Sequence, residues 1–523
     1  PAHAALTWEW DDMHMPFALA PLAGDWVMVV ASGFNGWKTE LASFPSRTYG
    51  AIWNGYAYFG FDPGATGDER KRFQAEGLAL FRARAEITEP YWYDEVVPEL
   101  KAMFAEMRAA PVETGSGDEV ATAWERAWTA MERAWNLHFT SILGPYQILE
   151  DLADLYESVT PNASPGEALR LMQGTRHELY ETELGVERLA AAAAAAPDVA
   201  AGLRSGVRSP EALADLAGGS DFVAALRAFL GEHGHMGQSV DDLALASWGE
   251  DPGLLLAEVA KRLEHPTEGA EARRARLAHE ADELAAAARE RFAGKPEELA
   301  RFEHVLDLSR RIGPLTEVHN YWIDRGSQAA TRAFSMRVGA RLVRDGVLER
   351  PDDILYLRRS EVPDLLRHPE DRRALVAERR ARHAEQAKRQ PPRFVGKAPE
   401  STGPVDRFDT ARVESTEADV LRGTGASAGV VRGPARVVLT SNEFDRIKPG
   451  DVIICPSSNP SWVPVFTIAG GLVTNTGGVL SHAAVVAREF GLPAVVGVAG
   501  ATTTVRDGQL VEIDGTAGTV RLL

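Results

Sequence analysis

The feature that most constrains the fold is a segment near the C-terminus, residues 474–495. It reads Thr-Asn-Thr-Gly-Gly-Val-Leu-Ser-His-Ala-Ala-Val-Val-Ala-Arg-Glu-Phe-Gly-Leu-Pro-Ala-Val. An apolar strand ends in it, two glycines permit a tight turn, and Ser481 is a favoured N-cap residue. Gly491 and the proline two residues later are typical of a helix end. The pattern therefore predicts a strand, a turn and a short helix, with His482 in the first helical turn.

A histidine at this position is suited to phosphoryl chemistry. Free backbone N–H groups and the helix dipole favour an anion there by about 0.3–1 kcal/mol. Gly477 and Gly478 can add their own N–H groups to form an anion-binding nest. Because histidine titrates near neutrality, its unprotonated nitrogen can attack a phosphoryl group. We predict that His482 is this nucleophile; the alternative is a helix-capping histidine without a chemical role.

The whole pattern, T-x-x-G-G-x-x-S-H-A-A-V-V-A-R-E-x-G-x-P-A-V, resembles the phosphohistidine domain of the PEP-utilising enzymes, which include pyruvate phosphate dikinase, PEP synthase and rifampin phosphotransferase. Residues 425–435 are similar to the opening hairpin of that domain, although Ala428 stands where the family often has proline. The resemblance implies that residues 421–523 form a swivelling domain and that His482 carries the phosphoryl group. The residues that it implies for phosphate binding are Thr474, Gly477, Gly478, Ser481 and Ser427.

The amino-acid composition changes along the 523-residue chain. Residues 1–90 are rich in aromatic residues, glycine and proline, and runs such as Trp26 to Val30 indicate strands and loops rather than long helices. We predict an α+β multidomain protein with three parts. A mainly helical acceptor-binding domain with a small strand/loop start spans 1–385, a polar linker spans 386–420, and an α/β phosphohistidine domain spans 421–523. Two of the stretches with helical spacing are Glu271 to Arg291 and Glu297 to Arg311. The predicted strands of the last domain are Ala435–Leu439, Asp451–Pro456, Gly471–Asn475, Ala494–Val498, Gln509–Asp514 and Thr519–Leu523.

Composition excludes several classes of partner. A net charge of −19 disfavours binding to nucleic acids and anionic membranes. The single cysteine, Cys455, excludes a disulfide framework. No signal-peptide pattern is present, and the longest apolar run, Leu189 to Ala196, is far shorter than the ~20 residues of a membrane span. We therefore expect a cytoplasmic protein with neither a nucleic-acid nor a membrane partner.

The region before the linker is similar to the acceptor-binding domain of rifampin phosphotransferase. The similar segments are Trp8 to Pro16, Phe229 to Gly237, Trp248 to Pro252 and Gly339 to Leu357. The residues predicted to bind the acceptor are His14, His233, His235, Trp248, Tyr321 and Trp322. His233 and His235 have no obvious third metal ligand nearby, so we predict no metal site.

The best candidate for the acceptor site is Glu317 to Arg325. On an α-helix Asn320 and Asp324 share a face, and His319 lies beside it. A hydroxyl acceptor needs a base for its proton, and His319 or Asp324 fits that role. The arginines predicted to steady the phosphoryl group are Arg325, Arg332 and Arg337. The alternative is a solvated helix face with a structural His–Asp pair.

The source of the phosphoryl group is expected on another chain. The sequence has neither a P-loop nor a segment resembling the ATP-grasp module that makes the phosphohistidine in the dikinases. The resemblance thus implies an ATP-grasp partner subunit, which binds ATP and Mg²⁺, and no tightly bound cofactor on this chain.

Aromatic content indicates the class of acceptor. Eleven of the 12 tryptophans precede the linker, and an aromatic-lined pocket suits a flat aromatic compound. We predict a subunit of a two-component dikinase that phosphorylates a small phenolic compound, similar to phenylphosphate synthase and the hydroxyphenyl-ketone kinases. The alternatives are a component of a rifampin-like antibiotic phosphotransferase and a non-catalytic phosphohistidine carrier that serves a protein partner.

Overall fold

The computed structural model describes the chain except residues 1–5, 13, 42–44, 162, 164, 238–242, 265–267, 397–418, 440, 459–461 and 480. It divides into two compact units. The first unit comprises Pro1–Gly144, Ser239–Glu250 and His319–Ser401. The second unit comprises Pro145–Gln238, Asp251–Val318 and Thr402–Leu523.

Helices dominate both units. The α-helices are α1 (Pro21–Leu41), α2 (Gly67–Pro90), α3 (Val97–Ala109), α4 (Gly117–Val159), α5 (Pro165–Leu169), α6 (Glu178–Ala195), α7 (Pro197–Arg204), α8 (Pro210–Ala214), α9 (Gly219–His233), α10 (Pro252–Glu264), α11 (Ala270–Arg291), α12 (Pro296–Ile312), α13 (Leu315–His319), α14 (Gly326–Arg344), α15 (Val362–Arg367), α16 (Arg373–Gln386), α17 (Val463–Phe466), α18 (His482–Phe490) and α19 (Ala501–Thr504). Two π-helical turns are Tyr91–Val96 and Asn320–Arg325. The two helices predicted by spacing are confirmed as α11 and α12. No helix among the described residues is both long and apolar enough to cross a membrane.

The strands form two sheets. They are β1 (Thr7–Trp10), β2 (Arg47–Trp53), β3 (Tyr56–Asp62), β4 (Phe394–Gly396), β5 (Val420–Arg422), β6 (Thr424–Ser427), β7 (Val430–Val437), β8 (Val452–Cys455), β9 (Gly471–Thr474), β10 (Ala494–Val496), β11 (Leu510–Asp514) and β12 (Thr519–Leu522). The first unit holds an antiparallel sheet in the order β2-β3-β1-β4. Asn54 and Gly55, with φ of 56° and 88°, make the tight turn between β2 and β3. Strand β4 lies inside the predicted linker, most of which (397–418) falls outside the described residues.

The expectation that the first 90 residues lack long helices is wrong. Helices α1 and α2 contain 21 and 24 residues. The apolar run that suggested a strand lies in α1, where only Met28 of its five residues is exposed. Val27 contacts Gly50 of β2, and Trp26 packs edge-on against Trp128 and Trp135 of α4. A helix covered on two sides loses the polar face by which an amphipathic helix is recognised.

The sheet of the second unit has eight strands in the order β5-β12-β11-β7-β8-β9-β10-β6. All six predicted strands are present, as β7 to β12, whereas β5 was not predicted. Strand β6 lies in the segment expected to form an opening hairpin, but it pairs with β10 rather than with β7. The four strands β7, β8, β9 and β10 pair in parallel, and the other pairings are antiparallel. Strands β8 and β9 are buried along their whole length, as expected for strands covered on both faces. Helix α18 connects β9 to its parallel neighbour β10, and this connection positions His482.

Candidate phosphoryl-transfer site

The turn between β9 and α18 has a specific conformation. The Thr474 hydroxyl donates a hydrogen bond to the carbonyl oxygen of Thr476 at 2.7 Å. Gly477 has a φ of +105°, and a Cβ atom there would lie 2.9 Å from the Ser481 hydroxyl oxygen. The amide of Ser481 donates to the carbonyl of Gly478 at 3.0 Å. Glycine is thus required at position 477 by its backbone conformation and by the close approach of Ser481.

The helix begins where the sequence predicted. Ser481 has the extended backbone conformation of an N-cap residue, and His482 is the first residue of α18. The Ser481 side chain makes no capping hydrogen bond, however. Neither its hydroxyl nor Nε2 of His482 has a hydrogen-bond partner among the described residues, although both atoms are buried. Leaving such a group unpartnered in a folded protein costs about 1–3 kcal/mol, and such groups recur where substrates are handled.

The other ring nitrogen of His482 is held by a carboxylate. Nδ1 lies 2.8 Å from Oε2 of Glu317, and the two side chains are 11% and 6% exposed. A carboxylate accepts hydrogen bonds, so Nδ1 is the donor in this contact, and in the neutral ring the lone pair then lies on Nε2. The same carboxylate would stabilise the positive charge of a ring phosphorylated on Nε2.

Arg488 fixes the geometry of the turn from within α18. Its buried guanidinium donates to the carbonyl oxygens of Ala426 at 2.9 Å and Val479 at 2.6 Å. Burial lowers the pKa of Arg488 to about 10, so the side chain remains charged near neutrality. The loop that precedes His482 is therefore tied to both α18 and β6.

The end of α18 is anchored to helical segments of the second unit. Nε2 of His177 lies 3.1 Å from Glu489, and the Gln173 side chain donates to the carbonyl of Arg488 at 2.7 Å. Burial lowers the pKa of His177, but the charge and hydrogen bond of Glu489 outweigh burial and raise it above its ordinary value. For Glu489, burial raises the pKa of the carboxyl group, but the charge and hydrogen bond of His177 outweigh burial. The pKa of Glu489 is therefore lowered below its ordinary value. The Arg273 guanidinium lies 4.4 Å from the centre of the Phe490 ring.

One predicted phosphate ligand lies elsewhere. The Ser427 hydroxyl donates to the carbonyl of Ala487 at 3.3 Å. Ala487 is five residues beyond His482, about 7.5 Å along the helix axis. The structure therefore brings Thr474, Gly477, Gly478 and Ser481 into the turn before His482 but does not bring Ser427 to it.

The predicted acceptor residues His319 and Asp324 meet in the first unit, together with His138 of α4. Asp324 lies 3.4 Å from Nε2 of His138 through Oδ1 and 4.0 Å from Nε2 of His319 through Oδ2. The two imidazole rings pack edge to face with centres 4.4 Å apart. All three side chains are buried. Burial, and then the neighbouring rings of His319 and His14, lower the pKa of His138 well below its ordinary value, so its ring is neutral.

The prediction that Asn320 and Asp324 share a helix face is wrong, because this segment is a π-helical turn. Helical spacing placed Asn320 on the face of Asp324, but residues Asn320–Arg325 form a π-helix. Its i→i+5 hydrogen-bonding pattern brings His319, rather than Asn320, towards Asp324.

The predicted arginines differ in their surroundings. Arg325 is buried. Arg332 donates to the carbonyl of Leu243 at 2.5 Å and pairs with Glu250 at 3.1 Å. Arg337 forms a two-pronged pair with Glu113 and donates to the carbonyls of Met107, Arg108 and Ala110. Arg332 and Arg337 thus anchor loops of the first unit, and these contacts occupy the groups predicted to hold phosphate.

The residues predicted to bind the acceptor are divided between the units. His14 pairs with Asp11 at 2.9 Å in the first unit and has an exposed side chain. Tyr321 packs edge-on against Trp322 in that unit, which also contains the half-buried Trp248. His233 and His235 belong to the second unit, where His233 contacts the Thr182 hydroxyl at 3.1 Å.

Two residues of these sites were not predicted. Glu317 stands inside the segment chosen from the sequence, but nothing in the sequence indicates its pairing with a histidine 165 positions away. His138 lies in α4, three residues after the buried Trp135. The one local signal for His138 in the sequence is that it is a polar residue among the apolar residues of this helix face.

Two segments of the chain match known protein families. Residues 447–518 match the mobile domain of the PEP-utilising enzymes. Residues 139–317 match the fourth domain of rifampicin phosphotransferase. His482 lies in the first match, and Glu317 is the last residue of the second.

Several curated proteins are similar to larger parts of the chain. Chondramide synthase cmdD of Chondromyces crocatus is 30% identical over 74% of this chain and 10% of its own length. The uncharacterized phosphotransferase YvkC of Bacillus subtilis is 26% identical over 74% of this chain and 47% of its own. A rifampicin phosphotransferase of Streptomyces sviceus is 31% identical over 60% of this chain and 36% of its own. The chain thus spans less than half the length of these relatives.

The matched domain contains the strand, glycine turn, histidine and helix described above, with the histidine held by a carboxylate. Two segments of this chain are thus similar to domains of the PEP-utilising phosphotransferases, residues 447–518 to the mobile domain and residues 139–317 to the fourth domain of rifampicin phosphotransferase.

Proposed function

We propose that the chain is the acceptor-binding and phosphohistidine part of a phosphotransferase, in which His482 carries a phosphoryl group to a hydroxyl acceptor. The observation that carries the proposal is the hydrogen bond between Nδ1 of His482 and Glu317 at 2.8 Å. It orients the ring at the N-terminus of α18 and leaves Nε2 as the nucleophilic atom.

The chemistry has two steps. Nε2 attacks the phosphorus atom of the donor, and the bond from phosphorus to the leaving oxygen breaks. The ring becomes cationic because Nδ1 keeps its proton, and Glu317 compensates that charge. The acceptor oxygen then attacks phosphorus, the P–N bond breaks and its electron pair returns to Nε2. The hydroxyl proton passes to a base, for which His319 and Asp324 remain the predicted candidates.

The proposed donor is ATP, bound with Mg²⁺ on an ATP-grasp module of a partner subunit. In a dikinase reaction, as in the families that the sequence resembles, attack on the β-phosphorus of ATP would release AMP, and cleavage of the bond between the β- and γ-phosphates by water would release phosphate. Residues 421–523 would move on the linker at 386–420 between the donor and the acceptor.

The proposed acceptor is a small phenolic compound. A phenol ionises near pH 10, so a modest base suffices for its proton. Trp26, Trp92, Trp124 and Trp128 are fully buried and belong to the core. The aromatic residues that support an aromatic acceptor are therefore fewer than the sequence suggested, with Trp248 and Trp322 partly accessible.

A second candidate acceptor is an antibiotic of the rifampicin type. It is favoured by the match of residues 139–317 to the fourth domain of rifampicin phosphotransferase and by the relatives of that name. The two candidates share the chemistry of His482 and differ only in the compound that receives the phosphoryl group.

One experiment tests the proposal and separates the acceptors. The chain is mixed with its ATP-grasp partner, ATP labelled at the β-phosphate, and a panel of phenols with rifampicin. Label in a phenol, with AMP accumulating, would support the first acceptor, and label in rifampicin the second. Label that stays on the protein with every compound would favour a phosphocarrier for a protein partner, and no transfer to the chain at all would refute the phosphotransferase.

A further inference from the structure

We infer that His138, His319 and Asp324 form a binding site for a divalent transition-metal ion such as Zn²⁺. The site lies wholly within the first unit and goes beyond the proposed function. Metal binding there does not depend on whether His482 carries a phosphoryl group.

The spacing of the three side chains suits a shared ion better than hydrogen bonds. One ligand atom from each residue lies within 4.8 Å of the others. The separations of 3.4 and 4.0 Å between the imidazole nitrogens and the carboxylate exceed the 2.7–3.2 Å of ordinary hydrogen bonds. Ligand bonds of about 2.0–2.1 Å at tetrahedral angles place neighbouring ligand atoms about 3.3 Å apart. A small inward shift of His319 would complete that geometry.

The chemistry of the ligands selects the class of metal. Two imidazoles and one carboxylate suit Zn²⁺, Co²⁺ and similar ions, whereas Mg²⁺ prefers oxygen ligands. Three protein ligands leave at least one coordination position for an oxygen atom from outside the protein.

The site is built from rigid, buried elements. His138 lies within α4, His319 ends α13, and Asp324 belongs to the π-helical turn that brings it towards His319. π-Helical turns occur frequently at functional sites. The rings of Trp135 and Phe139 pack against the His138 ring, with centres 4.8 and 4.5 Å away, and hold its orientation.

A bound ion would also change the roles of His319 and Asp324. Side chains that ligate a metal do not serve as the base, because the same lone pairs are used. If the acceptor hydroxyl occupied the open position, the ion would lower its pKa and favour loss of its proton. That consequence rests on the proposed function, whereas the binding of the ion does not.

The test uses the untagged full-length chain, stripped with a chelator and titrated with Co²⁺, without any phosphoryl donor. We expect one equivalent to bind with visible d–d absorption, to be displaced by Zn²⁺ and to be unaffected by Mg²⁺. His138→Gln and the isosteric Asp324→Asn should each weaken binding at least about tenfold. His279→Gln, in an exposed histidine of α11, is the matched control and should bind as the wild type does.

The location of the ion provides a measurement that does not depend on the folding of the variants. Anomalous scattering from wild-type crystals soaked in Co²⁺ should place the ion between the three side chains. The inference is overturned if the wild type binds no stoichiometric Co²⁺, if both variants bind it unchanged, or if the ion lies elsewhere.

Discussion

Glu317 and His482 show how a single contact defines the reactive atom. The carboxylate contacts Nδ1, so Nε2 is the ring nitrogen left to act as the nucleophile in the proposed reaction. Glu317→Gln keeps the size of the side chain but removes its charge, and the amide can also turn its donor group to the ring. We expect phosphoryl uptake by His482 to slow by about 10²-fold in this variant, measured as the rate of label incorporation from ATP.

The matched control is Glu298→Gln, in an exposed glutamate of α12 that pairs with Lys295. It should incorporate label at the wild-type rate. A Glu317→Gln rate within about twofold of the wild type would show that the carboxylate does not orient the nucleophile.

Gly477 is the second residue on which the geometry depends. An alanine there would adopt a strained positive φ and place its Cβ 2.9 Å from the Ser481 hydroxyl. We expect Gly477→Ala to lose about 1–2 kcal/mol of unfolding free energy and to slow phosphoryl uptake at least about tenfold. Urea denaturation and label incorporation measure the two effects.

Gly508→Ala is the control that separates backbone strain at a positive φ from the close contact between residue 477 and Ser481. Gly508 has a φ of +80°, and its added Cβ would meet nothing within 4 Å. This variant should lose comparable stability while its phosphoryl uptake stays unchanged. Equal slowing in both variants would mean that strain alone, rather than the contact with Ser481, affects the site.

The sequence predicts residues whose roles are local and misses those whose roles depend on distant partners. His482 could be identified because its strand, glycines, N-cap and helix are contiguous. Glu317 and His138 could not, because their partners come from other parts of the chain. Arg337 was given a phosphate-binding role from its charge, and only the structure reveals the loop carbonyls that it holds.

At the scale of elements, the strands of the last domain were predictable because each is a short apolar run between turn residues. Helix α1 was not, because burial on two sides gives its sequence the continuous apolar character of a buried strand. The π-helical turn at Asn320–Arg325 was also missed, since spacing arguments assume α-helical geometry.

The attachment of α18 to the helices of the second unit should depend on pH through His177 and Glu489. The pKa of His177 is raised above its ordinary 6.5, so its stabilising contribution is complete below pH 6.5 and fades as the pH rises through the raised value. The pKa of Glu489 is lowered below 4.5, so its contribution is present above pH 4.5 and is lost as the pH falls through the lowered value. The pair therefore stabilises most between these limits.

His177→Gln tests this pH dependence. The variant should lose more unfolding free energy, relative to the wild type, at about pH 6 than at about pH 9, as measured by urea denaturation at both values. His279→Gln removes an exposed pair with Glu283 and should have little effect at either pH. A deficit of His177→Gln that is equal at the two values would contradict the assigned protonation of the pair.

At the scale of the whole molecule, the two sites fall in different units. The second unit holds His482 and Glu317, and the first holds His138, His319 and Asp324. The predicted organisation into an acceptor-binding domain, a linker and a swivelling domain stays a prediction; in the structure, residues 145–238 and 251–318 belong to the same unit as residues 402–523. Motion of a domain cannot be read from its sequence, which specifies the packing of each element but not the alternative positions of the whole.

The central claim is that His482 carries the phosphoryl group on Nε2. The most direct measurement is to phosphorylate the chain with ATP and its ATP-grasp partner, map the modified residue by mass spectrometry and identify the phosphohistidine isomer by ³¹P NMR. We predict one phosphoryl group on His482, bonded to Nε2, and none in His482→Ala. Phosphorylation of any other of the 13 histidines, attachment to Nδ1, or undiminished uptake by His482→Ala would contradict the account.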